Sequence, residues 1–399
     1  MIVSAIRHHF PALSRTHNGF AVAYFDAPGG TQVPRSVGEA MTRYLFHHNA
    51  NTHWAYPTSA ETDEILAGAR EAAADFLNAR PHEVAFGNNM TTITFHLARA
   101  LGRTWKAGDE VITTELDHHA NVAPWRALER DFGIVVRCAR MIPETAQVDY
   151  GDIERLVTKR TKLIAAGGAS NAVGTVNDLE RIASIARSAA ALFFVDAVHL
   201  APHDLIDVQK IGCDFLACSS YKFYGPHAGM LFGRAELLQS LPFPKLDPAP
   251  DDAPDRAETG TQNHEAIAGI AATIDFLAAM GDGVGRRDRL AHTYKMLHDA
   301  GMRLTRIAWE ALSSMKKVRL YGPPPSQPRT PTLAFTVSGM TAEDVVRSLV
   351  ERGLFLSHGD FYAKTVVERL GVEALVRAGF ACYTTEEEVN RLIEGVAAL

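Results

Sequence analysis

The sequence predicts an α/β fold with a mostly parallel seven-stranded sheet in a large domain and a smaller α+β domain at the C-terminal end. Between about residues 83 and 235, seven apolar or β-branched runs alternate with segments of helical periodicity. This alternation is typical of βαβ units, which place helices on both faces of a parallel sheet. The proline-rich stretch 241–256 interrupts this alternation. A long helical region follows, and strand signals return only after it.

The strand signals of the large domain are, in chain order, EVAFGN, EVITTELD, IVVRCA, KLIAAGGASN, LFFVDAV, CDFLACSS and GMLFGR. Helical patterns follow several of them, for example TTITFHLARAL, NVAPWRALERDFG and DLERIASIARSAA. Helical periodicity dominates from about 264 to 317. The segments TLAFTVS, AEDVVRSLVERG and LFLSHG then predict strand, helix and strand, and a further helix precedes the last predicted strand, GFACYT. We therefore expect a large domain over 20–265 and a small domain formed by 1–19 and 266–399.

The composition indicates a globular protein with a small-molecule partner. With 40 basic and 46 acidic residues the formal charge is −6, which gives no electrostatic footprint for nucleic acid or an acidic membrane surface. No apolar run approaches the ~20 residues of a membrane span, and the N-terminal apolar stretch is short for a signal peptide, so a cytoplasmic location is expected. The four cysteines are too dispersed for a disulfide framework or a zinc site, which favours reduced thiols.

Polar residues stand at the ends of the predicted strands, where such sheets bind their ligands. Asp196 ends the apolar run LFFV, and Lys222 follows CDFLACSS after one tyrosine. A buried carboxylate needs a cationic or hydrogen-bonding partner, which a pyridinium nitrogen supplies. A lysine amine together with an aspartate for a ring nitrogen indicates a pyridoxal phosphate (PLP) site, with the lysine bound covalently to the cofactor. The alternative is a turn-capping aspartate and a solvated surface lysine.

Hydroxyl side chains at two strand ends predict a phosphate site. Thr91 and Thr92 begin a helix, whose N-terminus favours anions, and Ser219 and Ser220 end a neighbouring strand. The alternative for the two threonines is helix capping. His118 and His119 follow the second strand, and because adjacent side chains on extended backbone point apart, this pair predicts no metal site. One of them can cover a cofactor ring, or be an ordinary loop histidine.

These segments together resemble the class V aminotransferase family of PLP enzymes, and most closely its cysteine desulfurase and selenocysteine lyase branch. The resemblance covers nearly the whole chain and implies a PLP-dependent fold-type I enzyme. It implies that His118 of ELDHHANVAPW stacks on the PLP ring and that Asn171 of SNAVGT contacts the O3′ side. The cofactor set that it implies is Thr91, Thr92, His118, Asn171, Asp196, His199, Ser219, Tyr221, Lys222 and Thr261.

The resemblance also implies a homodimer and a substrate site. ETGTQN resembles the segment that reaches the phosphate of the other subunit's cofactor, which assigns this role to Thr261. VRAGFACYTTEEEVNRLIEG resembles the segment whose arginine binds the substrate α-carboxylate, which assigns Arg377. Tyr362 and Ala27 complete the expected substrate site.

Three positions depart from the family's pattern. His199 stands where the family usually has a glutamine that contacts O3′, and Tyr221 stands where it usually has a histidine. Desulfurases attack the substrate sulfur with a loop cysteine that precedes the carboxylate arginine. Tyr362 lies at or near that position, and the loop contains no cysteine. A desulfurase that forms a persulfide on its own thiol is therefore not expected.

The predicted function is that of a PLP enzyme acting on an α-amino acid, with Lys222, His118 and Asp196 as catalytic residues. Without a protein thiol, the chemistry best served is β-elimination by a C–S lyase that releases pyruvate, ammonia and a sulfur fragment. Transamination and racemisation or epimerisation use the same carbanion, so an aminotransferase or epimerase stays open. A different alternative is a non-catalytic, PLP-binding homologue acting in sulfur trafficking or regulation.

Overall fold

The structure is a computed structural model that describes residues 6–399. Seven strands form its central sheet, and six of them run parallel. The exception, Gly229–Gly233, is antiparallel to both of its neighbours. From edge to edge, the strands are Val84–Gly87, Gly229–Gly233, Phe215–Ser219, Leu192–Asp196, Thr161–Gly167, Glu110–Thr114 and Val135–Ala139.

Helices cover both faces of this sheet, which explains why the predicted strands are continuous apolar runs. Side chains alternate between the faces, so Phe193 and Val195 belong to one apolar cluster and Phe194 to another. The helices of this part of the chain are Arg35–Arg43, Pro57–Leu77, Met90–Gly102, Ala123–Phe132, Tyr150–Leu156, Leu179–Ser188, Val208–Ile211, Ala235–Ser240 and His264–Ala279.

The C-terminal part contains a second, fully antiparallel sheet. Its strands, in spatial order, are Val318–Tyr321, Thr332–Val337, Leu375–Gly379 and Ser357–Gly359. The helices of this part are Arg286–Ser313, Ala342–Val350, Lys364–Arg369 and Glu386–Ala397. A third apolar cluster forms its core and includes Ala23 and Phe25 from near the N-terminus.

The short strands Ala23–Tyr24 and Leu354–Phe355 pair in parallel as a separate two-stranded sheet, which ties the N-terminal segment to the C-terminal part. Asp26 continues this connection by bridging to Gly379, two residues after Arg377.

The predicted α/β architecture, with its mostly parallel seven-stranded sheet and smaller C-terminal domain, is confirmed. The boundaries at 19/20 and 265/266 stay a prediction. Among residues 6–399, no helix is long and apolar enough to cross a membrane.

Candidate active site

The carboxyl ends of the parallel strands meet at two adjoining cavities, as expected for an open α/β sheet. The first, here called the inner cavity, has a volume of about 550 Å³. The second, the outer cavity, leads from it towards Arg377 and Tyr362. The sequence-predicted residues that line the inner cavity are Thr91, His118, Asn171, Asp196, His199, Ser219, Tyr221 and Lys222.

Lys222 projects into both cavities from the short 3₁₀ turn Ser220–Lys222, which directly follows the strand Phe215–Ser219. Its Nζ donates to the main-chain oxygens of Pro28, at 2.6 Å, and Gly29, at 3.0 Å. Burial, assisted by the nearby Arg377 charge, lowers the pKa of the Lys222 amine to about 7. A large part of this amine is therefore unprotonated at neutral pH and able to act as a nucleophile or base.

Asp196 is buried at the end of the strand Leu192–Asp196. Its Oδ1 accepts a hydrogen bond from the Val198 main-chain N at 2.9 Å. Burial, assisted by the charge of Asp117, raises the pKa of Asp196 to about 7. A cation placed against this carboxylate would favour its ionised form, which is the environment that a protonated ring nitrogen provides.

His118 lines the inner cavity from the loop that follows the strand Glu110–Thr114. The Ala120 main-chain N donates to its Nδ1 at 2.9 Å, which leaves the proton of the neutral ring on Nε2. Burial and then the charge of Lys222 lower the pKa of His118 to about 4. The ring is therefore neutral at pH 7 and can cover an aromatic cofactor without adding charge.

Asn171 and His199 present polar groups to the inner cavity. Asn171 donates from Nδ2 to the Phe361 main-chain oxygen at 2.9 Å, whereas its Oδ1 is buried and has no hydrogen-bond partner. His199 Nε2 lies 3.2 Å from the Thr330 hydroxyl and 3.1 Å from the Thr332 hydroxyl. Burial holds the pKa of His199 well below its usual value, so this histidine is neutral.

Arg377 is buried on the strand Leu375–Gly379 and lines the outer cavity. Its Nε donates to Ser357 Oγ at 3.2 Å and its Nη1 to the Asn171 main-chain oxygen at 2.8 Å. The guanidinium lies 4.0 Å from the centre of the Phe361 ring. Burial lowers the pKa of Arg377 to about 9, and the charge of Asp26 offsets only part of this shift. This arrangement leaves Nη2 available to bind an anion.

The structure does not bring all the predicted phosphate ligands together. The Met90 main-chain N donates to Ser219 Oγ at 2.9 Å, which joins the helix Met90–Gly102 to the neighbouring strand end beside Thr91. Thr92 instead turns its hydroxyl to the Asn89 main-chain oxygen at 3.0 Å. Thr92 and Thr261 line a separate surface depression, so within one subunit neither reaches the inner cavity.

The predicted substrate residues lie at different depths. Tyr362 lines the outer cavity, is 74% exposed and has its ring centre 5.7 Å from that of His118. Its main-chain oxygen accepts a hydrogen bond from the His119 N at 2.8 Å, which fixes the loop over the cavity. Ala27 is buried behind the cavity, and its neighbours Pro28 and Gly29 form the wall instead.

The sequence analysis did not assign roles to Asp117 and Asp26. Asp117 lines the inner cavity, and its position beside His118 at a strand end was the available signal. Asp26 lies behind the Pro28–Gly29 wall, where its Oδ1 is buried without a hydrogen-bond partner and burial raises its pKa. Nothing in the FDAPGG segment indicates that it packs near Arg377, because this contact depends on the bridge to Gly379.

Comparison with known proteins identifies the class. The family model described as Aminotransferase class-V matches residues 23–392. A cysteine desulfurase of Pectobacterium atrosepticum is 31% identical over 410 aligned residues, which cover 99% of this chain and 97% of that protein. The chain therefore belongs to the class V aminotransferase family and is a PLP-dependent enzyme, which confirms the family and enzyme class predicted from the sequence.

Solved structures of related proteins have the same fold. The apo structure of the cysteine desulfurase from Thermococcus onnurineus NA1 has a TM-score of 0.89 and 28% identity, and covers 99% of this chain and 98% of that one. The S-sulfonic acid form of an Escherichia coli cysteine desulfurase has a TM-score of 0.86 at 28% identity, with the same coverage. These similarities confirm the fold-type I architecture and the similarity to cysteine desulfurases.

Proposed function

We propose that this enzyme is a C–S lyase that cleaves a sulfur-containing α-amino acid, cysteine or cystine, by β-elimination. The observation that carries the proposal is one cavity system that joins Lys222, Asp196 and Arg377 but contains no cysteine. These three side chains are suited to PLP chemistry on an amino acid. Because the cavities contain no thiol, release of the sulfur is favoured over its transfer to the protein.

The residues of the inner cavity fit the cofactor. The buried Asn171 Oδ1 lacks a hydrogen-bond partner, as expected of a group that faces a ligand. Lys222 would bind PLP covalently, and Asp196 would pair with the ring nitrogen beneath the neutral His118 ring. Asn171 and His199 would contact the O3′ side. The phosphate ligands proposed within one subunit are Thr91, Ser219 and Tyr221, and Thr261 would come from the partner of a homodimer, whereas Thr92 lines the separate depression.

The chain's own residues supply binding and proton transfer. When bound, PLP withdraws electrons from the substrate Cα. Once the substrate amine has taken the place of Lys222 on the cofactor, the freed Lys222 amine, beside the main-chain oxygens of Pro28 and Gly29, would take the Cα proton. Arg377 binds the substrate carboxylate through Nη2 and so fixes the orientation of the Cα–H bond. The electron pair left at Cα then expels the sulfur from Cβ, and hydrolysis yields pyruvate and ammonia.

The cysteines of the chain are unsuited to accept sulfur. All four lie within the described residues, and none lines the inner or outer cavity. Burial raises the pKa of Cys138 to about 11 and that of Cys382 to about 12, and it also raises the pKa values of Cys213 and Cys218. A persulfide requires an accessible thiolate, so these thiols do not serve as acceptors.

Two experiments on the purified holoenzyme test the proposal. Borohydride reduction and peptide mapping should place a pyridoxyl group on Lys222, and a label on a different lysine would remove the basis of the assignment. Incubation with a panel of amino acids should yield pyruvate and ammonia from cysteine or cystine. Alanine with a stoichiometric protein persulfide would indicate a desulfurase, keto acids with an aminated cofactor a transaminase, and loss of optical activity alone an epimerase. Absence of any turnover would indicate a non-catalytic homologue.

A further inference from the structure

Two buried carboxylates, those of Asp117 and Asp196, line the inner cavity together. Asp117 follows the strand Glu110–Thr114, and Asp196 ends the strand Leu192–Asp196. The proposed function uses only Asp196. Asp117 directly precedes His118, so it is placed to influence both the ring-nitrogen end of the cavity and the ring-covering histidine.

Four hydrogen bonds fix the Asp117 carboxylate. Oδ2 accepts from the main-chain N of Thr114 at 2.9 Å and from its hydroxyl at 2.8 Å. Oδ1 accepts from Asn121 Nδ2 at 3.1 Å and from the main-chain N of Gly167 at 2.5 Å. These donors belong to one strand, to the turn after His118 and to the adjacent strand. The carboxylate therefore joins three segments of the cavity wall.

Asp117 is held close to Asp196 by the register of the sheet. Gly167 pairs with Asp196 on parallel strands, which lie about 4.8 Å apart. A Cβ on Gly167 would lie 2.9 Å from Asp117 Oδ1, so a glycine here leaves room for the carboxylate. Burial raises the pKa of Asp117 to about 6 despite its four donors. Burial and the negative charge of Asp117 raise the pKa of Asp196 to about 7.

The groups that face this pair are mostly neutral near pH 7. Raised pKa values keep the thiols and the phenol protonated, and lowered pKa values keep the two histidines unprotonated. Lys222, with a pKa of about 7, is the one of these groups that titrates in the same range. The facing groups are Cys138, Cys218, Tyr221, His118, His199 and Lys222.

We propose that Asp117 is a positioning residue that acts through Asp196, so that binding of a pyridinium at Asp196 is coupled to proton release from the two carboxylates. The proposal rests on the proposed PLP site. Without a cation, burial together with the negative charge of Asp117 beside Asp196 keeps part of a proton on the pair. A cation at Asp196 offsets this repulsion, and both carboxylates then ionise.

Calorimetry with pyridoxine 5′-phosphate tests this coupling, since this probe has no aldehyde to react with Lys222. Apoenzyme is titrated at about pH 6.5 in buffers of different ionisation enthalpy, which gives the number of protons released. Asp117→Asn should release fewer protons than wild type, by about half a proton, because the variant has no proton on residue 117 to release and Asp196 is less protonated before binding. The fall of the probe's Kd with rising pH between about 5.5 and 7.5 should flatten correspondingly.

Two further variants separate charge from structure. Asn177 Nδ2 donates to the Gly167 main-chain oxygen at 2.8 Å, so Asn177→Ser perturbs a hydrogen bond to the same glycine without removing a charge. It should keep the wild-type proton count. Thr114→Val removes the hydroxyl donor to Asp117 and should increase proton release at about pH 7.5, since the carboxylate loses a bond to its charged form. This variant gives an answer even where Asp117→Asn fails to fold.

An unchanged proton count in folded Asp117→Asn, or in Thr114→Val at the higher pH, would overturn the role of Asp117. A reduced count in Asn177→Ser equal to that of Asp117→Asn would also overturn it, by showing a structural cause. Failure of wild-type apoenzyme to bind the probe would instead refute the proposed PLP site. The two failures are therefore distinguishable.

Discussion

Replacing Arg377 by methionine tests the substrate site most directly, because methionine keeps an extended side chain of comparable length without the charge. We expect KM for the amino acid substrate to rise strongly, since Arg377 is the buried guanidinium of the outer cavity. Burial already disfavours the charged form of Arg377, but methionine also loses the bonds to Ser357 and Asn171. Tm is therefore measured beside KM, so that a change in stability is distinguished from a change in substrate binding.

The size of the expected rise in KM follows from the guanidinium donors of Arg377 that have no partner in the protein. Nε and Nη1 already donate to Ser357 and Asn171, so the substrate carboxylate adds charge-assisted bonds through the remaining donors. Hydrogen bonds to charged groups contribute about 1.5 to 3 kcal/mol each. At about 1.4 kcal/mol per factor of ten, one such bond corresponds to a roughly 10- to 150-fold rise in KM.

The assay is steady-state pyruvate formation, with PLP content checked by absorbance. Ser357→Ala is the matched control, because it removes only the 3.2 Å bond that orients Nε. It should cost about 1 kcal/mol, a roughly fivefold effect, if the bond is fully used in substrate binding. An unchanged KM in Arg377→Met with full PLP loading would refute the reasoning and show that the carboxylate binds elsewhere.

Three further predictions concern the cofactor. Asp196→Ala should still bind PLP through Lys222 but lose at least about 100-fold in turnover, because the ring nitrogen loses its protonating partner; near-normal turnover would contradict this role. The rate of PLP capture by the apoenzyme should rise with pH up to about 7 and then level off, since the pKa of Lys222 is lowered to that value; a continued rise towards pH 10 in stopped-flow absorbance would refute it. Thr261→Ala should weaken PLP binding in a homodimer, and a wild-type protein that is monomeric by light scattering yet binds PLP equally tightly would show another role for this segment.

The sequence was most informative where the chemistry lies at the ends of strands. Asp196 and Lys222 are predictable as neighbours, because strands with continuous apolar runs end at the same edge of a parallel sheet. Arg377 could be assigned only by family resemblance. Its contact with the Asn171 main-chain oxygen joins residues 206 positions apart and depends on how the two sheets are placed. No local pattern encodes that distance.

Contacts that depend on strand register, or on a competing local hydrogen bond, could not be predicted from the sequence either. The Asp117 bond to Gly167 depends on the alignment of two strands, so nothing in ELDHH indicates it. Thr92 illustrates the second case, because its hydroxyl lies against the Asn89 main-chain oxygen, within the helix-capping geometry that was the alternative considered for it. Whether Thr92 contributes to the phosphate site stays a prediction, as do the other cofactor contacts.

The similarity to cysteine desulfurases and the absence of a loop thiol lead to one mechanistic conclusion. Both desulfurases and lyases need an amine base, an electron sink and a carboxylate anchor, and this chain keeps side chains suited to all three in Lys222, Asp196 and Arg377. What separates the two reactions is the group that meets the substrate sulfur. Here the loop after the strand Ser357–Gly359 presents Tyr362, whose phenol cannot form a persulfide, at the mouth of the outer cavity. Under the proposed function the same three side chains would therefore activate the amino acid, and with Tyr362 at the cavity mouth instead of a thiol the sulfur would leave into solution.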